Sequence, residues 1–148
     1  YKSLPSIDIC LVTNPYTYAG NPLACAVGMA VINELVEQEL PQHARELGAH
    51  LVERFEDLKR YGVVREVRGK GVLQGVELVQ DSETMEPFPP GRKLGDALKK
   101  TALANGLIMR ISPDWFAVSP PLIATMDDID EMCDLIEQSL KDALDLVK

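Results

Sequence analysis

Residues 15–26 of the chain read PYTYAGNPLACA and contain the clearest helix start in the sequence. Asn21 and Pro22 predict that start, because asparagine is a favoured N-cap and proline at the first helical position gives up an amide that would stay unpaired anyway. We expect the helix to run to about Glu39. Its surface is apolar on most sides as far as Ile32, which predicts that other layers of a larger body cover it.

An uncharged stretch from Ile9 to Asn33 surrounds this helix start, although 26% of the residues in the chain are charged. Turn-forming residues interrupt the stretch, so that only Leu23 to Ile32 is continuously apolar or small. That run has about half the length that a membrane-spanning helix needs. We therefore predict no membrane segment here.

The composition is that of a globular protein. The chain has 148 residues, of which 46% are hydrophobic, and this is enough to bury a core in one domain or in one domain and a fragment. The net charge of -8 and the lack of clustered Lys and Arg argue against nucleic-acid binding.

Cysteine usage and the first residues suggest where the protein works. Three cysteines, Cys10, Cys25 and Cys133, stand at scattered spacing and indicate neither a disulfide framework nor a zinc site, so the cytoplasm is the expected location. The chain begins at Tyr1, inside a predicted loop and without a signal peptide, and we expect a fragment of something longer.

Alternating helices and strands are predicted for the rest of the chain. Apolar residues at steps of three and four mark a surface helix after Pro41 and a last helix whose stripe reaches Val147. Thr125 and Asp128 have the spacing of a capping box at the start of that last helix. The other elements are a strand over 63–67, a turn over 68–71, a strand over 72–79, a loop over 81–91, a helix from 94 to about 105, and strands over 107–111 and 116–119. The alternation predicts an α/β or α+β domain.

Most titratable residues are expected to be structural. His43 and His50 lie on one face of a polar helix with no acidic or thiol partner at ligand spacing, so we predict solvated side chains and no metal site. The acidic residues from Asp127 to Glu131 fall near the start of the last helix, where the macrodipole favours negative charge.

Thr17 and Arg110 are candidates for binding. The Thr17 hydroxyl falls in a loop just ahead of a helix start, where unpaired amides and the positive end of the dipole suit a phosphate; the alternative is a turn in which Thr17 bonds its own backbone. Arg110 stands in a mostly apolar strand, and a guanidinium there needs a carboxylate or phosphate partner. A structural salt bridge with an acidic residue of the chain is the alternative.

Three stretches of the chain resemble class III pyridoxal-phosphate aminotransferases, the group of the ω-transaminases and ornithine aminotransferases. TYAGNPLACAVGMAVINEL (17–35) is similar to the family segment T-[YF]-[SAG]-G-[NH]-P-x-A-C-A. VREVRGKGVLQGVEL (64–78) resembles the family hairpin R-G-x-G-x-x-x-G-x-E. GLIMRISPDWFAVSPPLIATMDDIDEM (106–132) is similar to the C-terminal strand, Pro-Pro turn and final helix. The motifs stand in the family's order and cover nearly the whole chain, which corresponds to the last third of a family subunit.

The resemblance implies the C-terminal part of a fold-type I enzyme that depends on pyridoxal 5'-phosphate. Residues 1–38 would be the tail of the large cofactor-binding domain, and residues 39–148 the small C-terminal domain. The lysine that forms the Schiff base would lie upstream, so no catalytic residue is assigned within the chain and we expect it to be inactive alone.

The resemblance also assigns binding residues. Tyr16, Thr17 and Tyr18 would contact the cofactor, with the Thr17 hydroxyl on the phosphate bound by the neighbouring subunit of a homodimer. Arg110, which precedes Pro120 at the family's spacing, would grip a substrate carboxylate. Many members have other residues in place of Pro15 and Tyr16, and this difference bears on the choice of amine.

The expected reaction moves an amino group between an amine or ω-amino acid and a 2-oxo acid such as pyruvate. Aminomutases, racemases and decarboxylases share the scaffold and are the alternatives among enzymes. A non-catalytic α/β interaction module is the alternative of another class.

Overall fold

A computed structural model describes residues 20–89, 91 and 94–147 of the chain. It contains four helices and four strands within those residues: α1 (Pro22–Glu37), α2 (Leu40–Asp57), β1 (Val64–Lys70), β2 (Leu73–Leu78), α3 (Leu94–Ala104), β3 (Arg110–Ser112), β4 (Trp115–Val118) and α4 (Met126–Val147), with a short 3-10 helix at Leu58–Tyr61. The chain divides into two compact units, of which the first ends at Gln38 and the second begins at Glu39. No helix in the described part of the chain is both long and apolar enough to cross a membrane.

Helix α1 begins where the sequence predicts. The Asn21 side chain accepts hydrogen bonds from the amides of Leu23 (3.0 Å) and Ala24 (3.2 Å), and Pro22 occupies the first helical position. The helix ends at Glu37, two residues before the expected end. None of its residues is buried, so burial of this helix by a larger body stays a prediction.

The second unit contains a four-stranded antiparallel sheet in the order β1-β2-β4-β3. Two hairpins build it, β1 with β2 and β3 with β4. The sequence predicts the first hairpin, whereas the strands of the second were expected over 107–111 and 116–119 and lie over 110–112 and 115–118. The helices and this sheet confirm a mixed α and β architecture. Within each hairpin the strands are antiparallel because the chain returns directly on itself.

The first hairpin turn lies two residues later than predicted. The expectation that the chain turns over 68–71 is wrong, because Gly69 and Lys70 still pair with Gln74 and Leu73, and the turn falls at Gly71 and Val72. Gly71 has a positive φ of 55°, which glycine adopts without strain. Gly69 does not break the strand; a Cβ there would overlap the Leu73 carbonyl oxygen, so this glycine permits a close approach of the two strands.

The core lies between one face of the sheet and helices α2, α3 and α4. Along β4, Phe116 and Val118 are buried whereas Trp115 and Ala117 are less so, which is the alternation of a sheet covered on one side. The Phe116 ring meets the Phe55 ring of α2 edge to face, with centroids 5.8 Å apart. The fully buried leucine and isoleucine side chains of the helices are Leu47, Leu51, Leu94, Leu98, Ile129, Ile136 and Leu140.

The predicted capping box at α4 is present. The Asp128 carboxylate accepts hydrogen bonds from the Thr125 amide (2.8 Å) and hydroxyl (2.7 Å), and the Asp128 amide donates to the Thr125 hydroxyl oxygen (3.2 Å). The bond from the Thr125 amide and then the bond from its hydroxyl lower the pKa of Asp128 below its ordinary value. Helix α4 therefore begins at a fixed position directly after the Pro-Pro turn.

The two histidines are bonded rather than solvated, so that prediction is wrong. The Nε2 atom of His43 lies 2.8 Å from the Ala124 carbonyl oxygen, and that of His50 lies 2.8 Å from a carboxylate oxygen of Asp130. Asp130 also accepts a hydrogen bond from Arg54, and the His50 bond is the main cause that lowers the pKa of Asp130. Sequence spacing did not reveal these partners because they lie about 80 positions away, Ala124 just before α4 and Asp130 within it.

Candidate substrate-binding site

The structure places one of the sequence-predicted site residues, Arg110. Tyr16, Thr17 and Tyr18 precede the first described residue, Gly20, so their predicted contacts lie outside the described residues. Arg110 opens strand β3 and pairs across the hairpin with Ala117 of β4. Ala117 presents only a methyl group, which leaves room beside the long Arg110 side chain.

Arg110 projects from the face of the sheet opposite the core. Its hairpin neighbour Ile111 pairs with the buried Phe116, so Arg110 and Ala117 must point to the other face. We call this the outer face and define it by Leu73, Gly75, Glu77, Arg110, Trp115 and Ala117. The Arg110 side chain is exposed.

No acidic side chain neutralises Arg110 within the described ranges. Across residues 20–89, 91 and 94–147, no carboxylate oxygen lies within 4.0 Å of its guanidinium nitrogens. By contrast, Arg65 and Arg68 of β1 both pair with Glu77. The alternative that Arg110 forms a structural salt bridge therefore finds no partner in this part of the chain.

Trp115 is the close neighbour of Arg110, and sequence reasoning missed it. The guanidinium carbon of Arg110 lies 5.4 Å from the centroid of the Trp115 ring, within the ~6 Å range of a cation–π contact. Ser112 pairs with Trp115 and Arg110 with Ala117, so Arg110 and Trp115 are diagonal neighbours on one face, a separation that long side chains bridge. The sequence did contain a signal for this contact, because Trp115 stands only five positions after Arg110, on the other side of a short turn.

An open groove of about 1080 Å³ lies beside this pair. Its walls are mostly apolar and come from β2, the segment before β3, β4, the Pro-Pro turn and the start of α4: Leu73, Leu107, Ile108, Met109, Trp115, Ala117, Val118, Pro120, Pro121, Ile123, Ala124, Ile129 and Met132. The polar lining consists of Arg110, Ser119 and Asp128, and the Asp128 carboxylate already serves the capping box. An apolar groove with one guanidinium suits a molecule that carries a carboxylate on an apolar body.

The helix start that follows the predicted phosphate loop has its first amides occupied. Asn21 accepts from the amides of Leu23 and Ala24 through its side chain, and from the amide of Cys25 (2.9 Å) through its carbonyl oxygen. The expectation of unpaired amides at this position is therefore wrong, because the N-cap asparagine uses them. The amides of Leu23, Ala24 and Cys25 in the first turn of α1 are therefore not available to an anion.

A second cluster of charges is structural and lies outside the groove. The Glu137 carboxylate accepts hydrogen bonds from Arg60 (2.6 Å) and the Tyr61 hydroxyl (2.6 Å), and its oxygen lies 2.7 Å from the Lys141 amine. The Lys141 bond, followed by those from Tyr61 and Arg60, lowers the pKa of Glu137 from 4.5 to about 2. This network ties α4 to the 3-10 helix after α2.

Known proteins resemble this chain over most of its length. The family described as aminotransferase class-III matches residues 8–140. An uncharacterized aminotransferase of Sinorhizobium fredii is 36% identical over 136 residues, which cover 88% of this chain and 28% of that protein. The solved structure of an (S)-enantioselective omega-transaminase from Thermomicrobium roseum is 35% identical with a TM-score of 0.82, over 89% of this chain and 30% of that one.

A third similar protein contains a bound small molecule. The omega transaminase of Pseudomonas jessenii, solved in complex with PMP, is 28% identical with a TM-score of 0.83 over 91% of this chain and 30% of its own. The described structure thus has the fold of part of a PLP-dependent transaminase. The chain spans less than a third of the length of these three relatives.

Proposed function

The chain belongs to the class III aminotransferase family, and from this premise we propose that it is the C-terminal part of an enzyme that moves an amino group between an amine or ω-amino acid and a 2-oxo acid such as pyruvate. The single observation that carries the choice of a carboxylate substrate is the exposed Arg110 guanidinium at an apolar groove, with no acidic partner among the described residues. A planar guanidinium with several N–H donors matches the two oxygens of a carboxylate.

Two parts of such an enzyme would be represented in the chain. We assign residues 1–38 to the tail of a large cofactor-binding domain and residues 39–148 to a small C-terminal domain. The division into compact units after Gln38 supports this assignment. So does the set of exposed apolar residues along α1, which includes Leu23, Val27 and Val36, because a stable protein covers so apolar a helix. A cytoplasmic homodimer is the assembly proposed for the complete enzyme.

Class III aminotransferases depend on pyridoxal 5'-phosphate, and the contacts with it that we assign to this chain lie ahead of the first described residue. We assign the phosphate contact to Thr17, whose hydroxyl would donate to a phosphate oxygen of the cofactor held by the neighbouring subunit, with Tyr16 and Tyr18 beside it. Because Asn21 already occupies the first amides of α1, the Thr17 hydroxyl matters more for this contact. When bound, the cofactor supplies the electron sink for the reaction.

Arg110 provides the test of this proposal. In the longer enzyme, Arg110→Ala should raise KM for pyruvate and lower kcat/KM, with a loss of transition-state stabilisation of about 2 to 4 kcal/mol. The reason is that a charge-assisted contact of two N–H donors with the carboxylate is lost. The rate with an amine that has no carboxylate should stay nearly unchanged. The measurements are the two half-reactions, with pyruvate and with the amine, together with the melting temperature.

A matched variant controls for the loss of a positive charge. Arg45→Ala removes an exposed arginine from α2, which packs on the core side of the sheet, and should leave both half-reactions unchanged. If Arg110→Ala instead slows both half-reactions equally and lowers the melting temperature, Arg110 is structural and the carboxylate role is refuted.

The pyruvate half-reaction also separates the other enzymes on this scaffold. An aminomutase, racemase or decarboxylase would not pass its amino group to pyruvate, so formation of alanine supports the transaminase. Membership of an aminotransferase family argues against the alternative of a non-catalytic interaction module.

A further inference from the structure

We propose that Trp115 is a positioning residue that holds the Arg110 guanidinium ready for the carboxylate of a 2-oxo acid substrate. This inference rests on the proposed function of Arg110 and adds a second residue to it. The two side chains share the outer face of the sheet, and the guanidinium carbon lies 5.4 Å from the Trp115 ring centroid.

The hairpin fixes the position of the ring relative to the arginine. Strands β3 and β4 pair at Arg110–Ala117, Ile111–Phe116 and Ser112–Trp115, and only two residues, Pro113 and Asp114, lie between the strands. Phe116 between the outer-face residues Trp115 and Ala117 is buried in the core, which anchors β4. The backbone below Trp115 is therefore held in place, and its half-buried ring forms part of the groove wall.

A tryptophan suits this task better than an acidic residue. A carboxylate beside Arg110 would compete with the substrate carboxylate for the same N–H donors. An aromatic ring attracts the cation through its face and leaves the N–H groups at the edge of the guanidinium available. A long arginine side chain that is held in one place also loses less conformational freedom when the substrate binds.

The expected effect falls on the substrate that carries a carboxylate. In the longer enzyme, Trp115→Leu keeps an apolar side chain but removes the aromatic face, and KM for pyruvate should rise about two- to five-fold, the range of an exposed cation–π contact. Trp115→Phe retains a ring and should restore most of the affinity. The value of kcat with pyruvate, and both constants for an amine without a carboxylate, should stay unchanged.

Double substitution distinguishes positioning from packing. If Trp115 acts through Arg110, then Trp115→Leu should have no further effect on KM for pyruvate once Arg110 has been replaced by alanine. A packing role would instead lower activity towards both substrates, in either background and equally in the phenylalanine variant.

Fluorescence gives an independent measurement on the 148-residue chain itself. Trp115 is its only tryptophan, so Arg110→Gln, which removes the cation beside the ring, should change the emission of Trp115, whereas Arg45→Gln on the opposite side of the sheet should not. An unchanged emission spectrum in Arg110→Gln overturns the contact.

The kinetic outcomes separate this inference from the proposed function. If Arg110→Ala raises KM for pyruvate but Trp115→Leu does not, the role of Trp115 is refuted and that of Arg110 stands. The role of Trp115 is also refuted if Trp115→Phe raises KM for pyruvate as much as Trp115→Leu does. If Arg110→Ala has no effect on pyruvate, both are refuted.

Discussion

Replacing Gly48 by alanine should destabilise the second unit, although alanine is the better helix former. Gly48 is buried in α2 where the helix meets the turn between β1 and β2. A Cβ on Gly48 would lie 2.5 Å from the carbonyl carbon and 2.7 Å from the Cα of Gly71. Gly71 cannot withdraw easily, because it lies in a two-residue turn directly after the Lys70–Leu73 pair, and moving it would disturb the end of the hairpin.

Two opposing terms set the magnitude. Forcing a methyl group into a well-packed contact costs about 1 to 3 kcal/mol, and a backbone neighbour places the cost in the upper part of that range. The gain in helix propensity on changing glycine to alanine is about 0.5 to 1 kcal/mol. The net expectation is a loss of about 1 to 2 kcal/mol, which lowers the melting temperature by on the order of 5 °C.

Thermal unfolding followed by circular dichroism measures this loss. Ala49→Gly is the matched control, since Ala49 is exposed at the next position of the same helix and its substitution reports the propensity term alone, with the opposite sign. Adding the stability lost in Ala49→Gly to the stability lost in Gly48→Ala gives the cost of the contact. A Gly48→Ala variant that melts at or above the wild-type temperature would refute the close contact between α2 and the turn.

Three further outcomes are expected. Glu137→Gln should destabilise the chain at neutral pH by on the order of 1 to 3 kcal/mol. Because the pKa of Glu137 is lowered from 4.5 to about 2, the stability that the carboxylate contributes is complete above pH ~4.5 and is lost as the pH falls towards ~2. If the melting temperatures of the two proteins stay equally far apart down to pH ~2, this expectation is contradicted. Thr125→Ala removes the hydroxyl of the capping box and should cost about 0.5 to 2 kcal/mol in urea unfolding, whereas an unchanged midpoint would mean that the box does not stabilise α4. Thr17→Ala should weaken binding of the cofactor to the longer enzyme by about 1 to 3 kcal/mol, measured from the dissociation constant of pyridoxal 5'-phosphate. If that constant equals the wild-type value, Thr17 does not bind the phosphate and is a turn residue.

Local interactions made much of the fold predictable. Asn21 and Pro22 start α1, and Thr125 and Asp128 cap α4, because each contact joins residues no more than three positions apart. The apolar stripe of α4 and the first hairpin also follow from short patterns in the sequence. The motifs named the class III aminotransferases, and the match over residues 8–140 confirms that family.

The errors arose where local patterns compete with distant partners. The first hairpin turns at Gly71 and Val72 instead of over 68–71 because both strands continue to pair past Gly69, and nothing within the segment 68–71 ranks one glycine above the other. His50 was expected to be solvated because its partner, Asp130, belongs to another helix.

The sequence by itself determined where α1 and α4 begin, which faces of the helices are apolar, and the family to which the chain belongs, since these properties depend on neighbouring residues or on a continuous motif. Only the tertiary structure decided that Arg110 lies beside Trp115 at an apolar groove and has no acidic partner within the described residues. The register of β3 against β4 places that pair on one face, and the packing of α2 against the first hairpin requires Gly48. Such relations depend on distances between separate elements, which become fixed only when the apolar faces of the helices and the sheet are buried against each other.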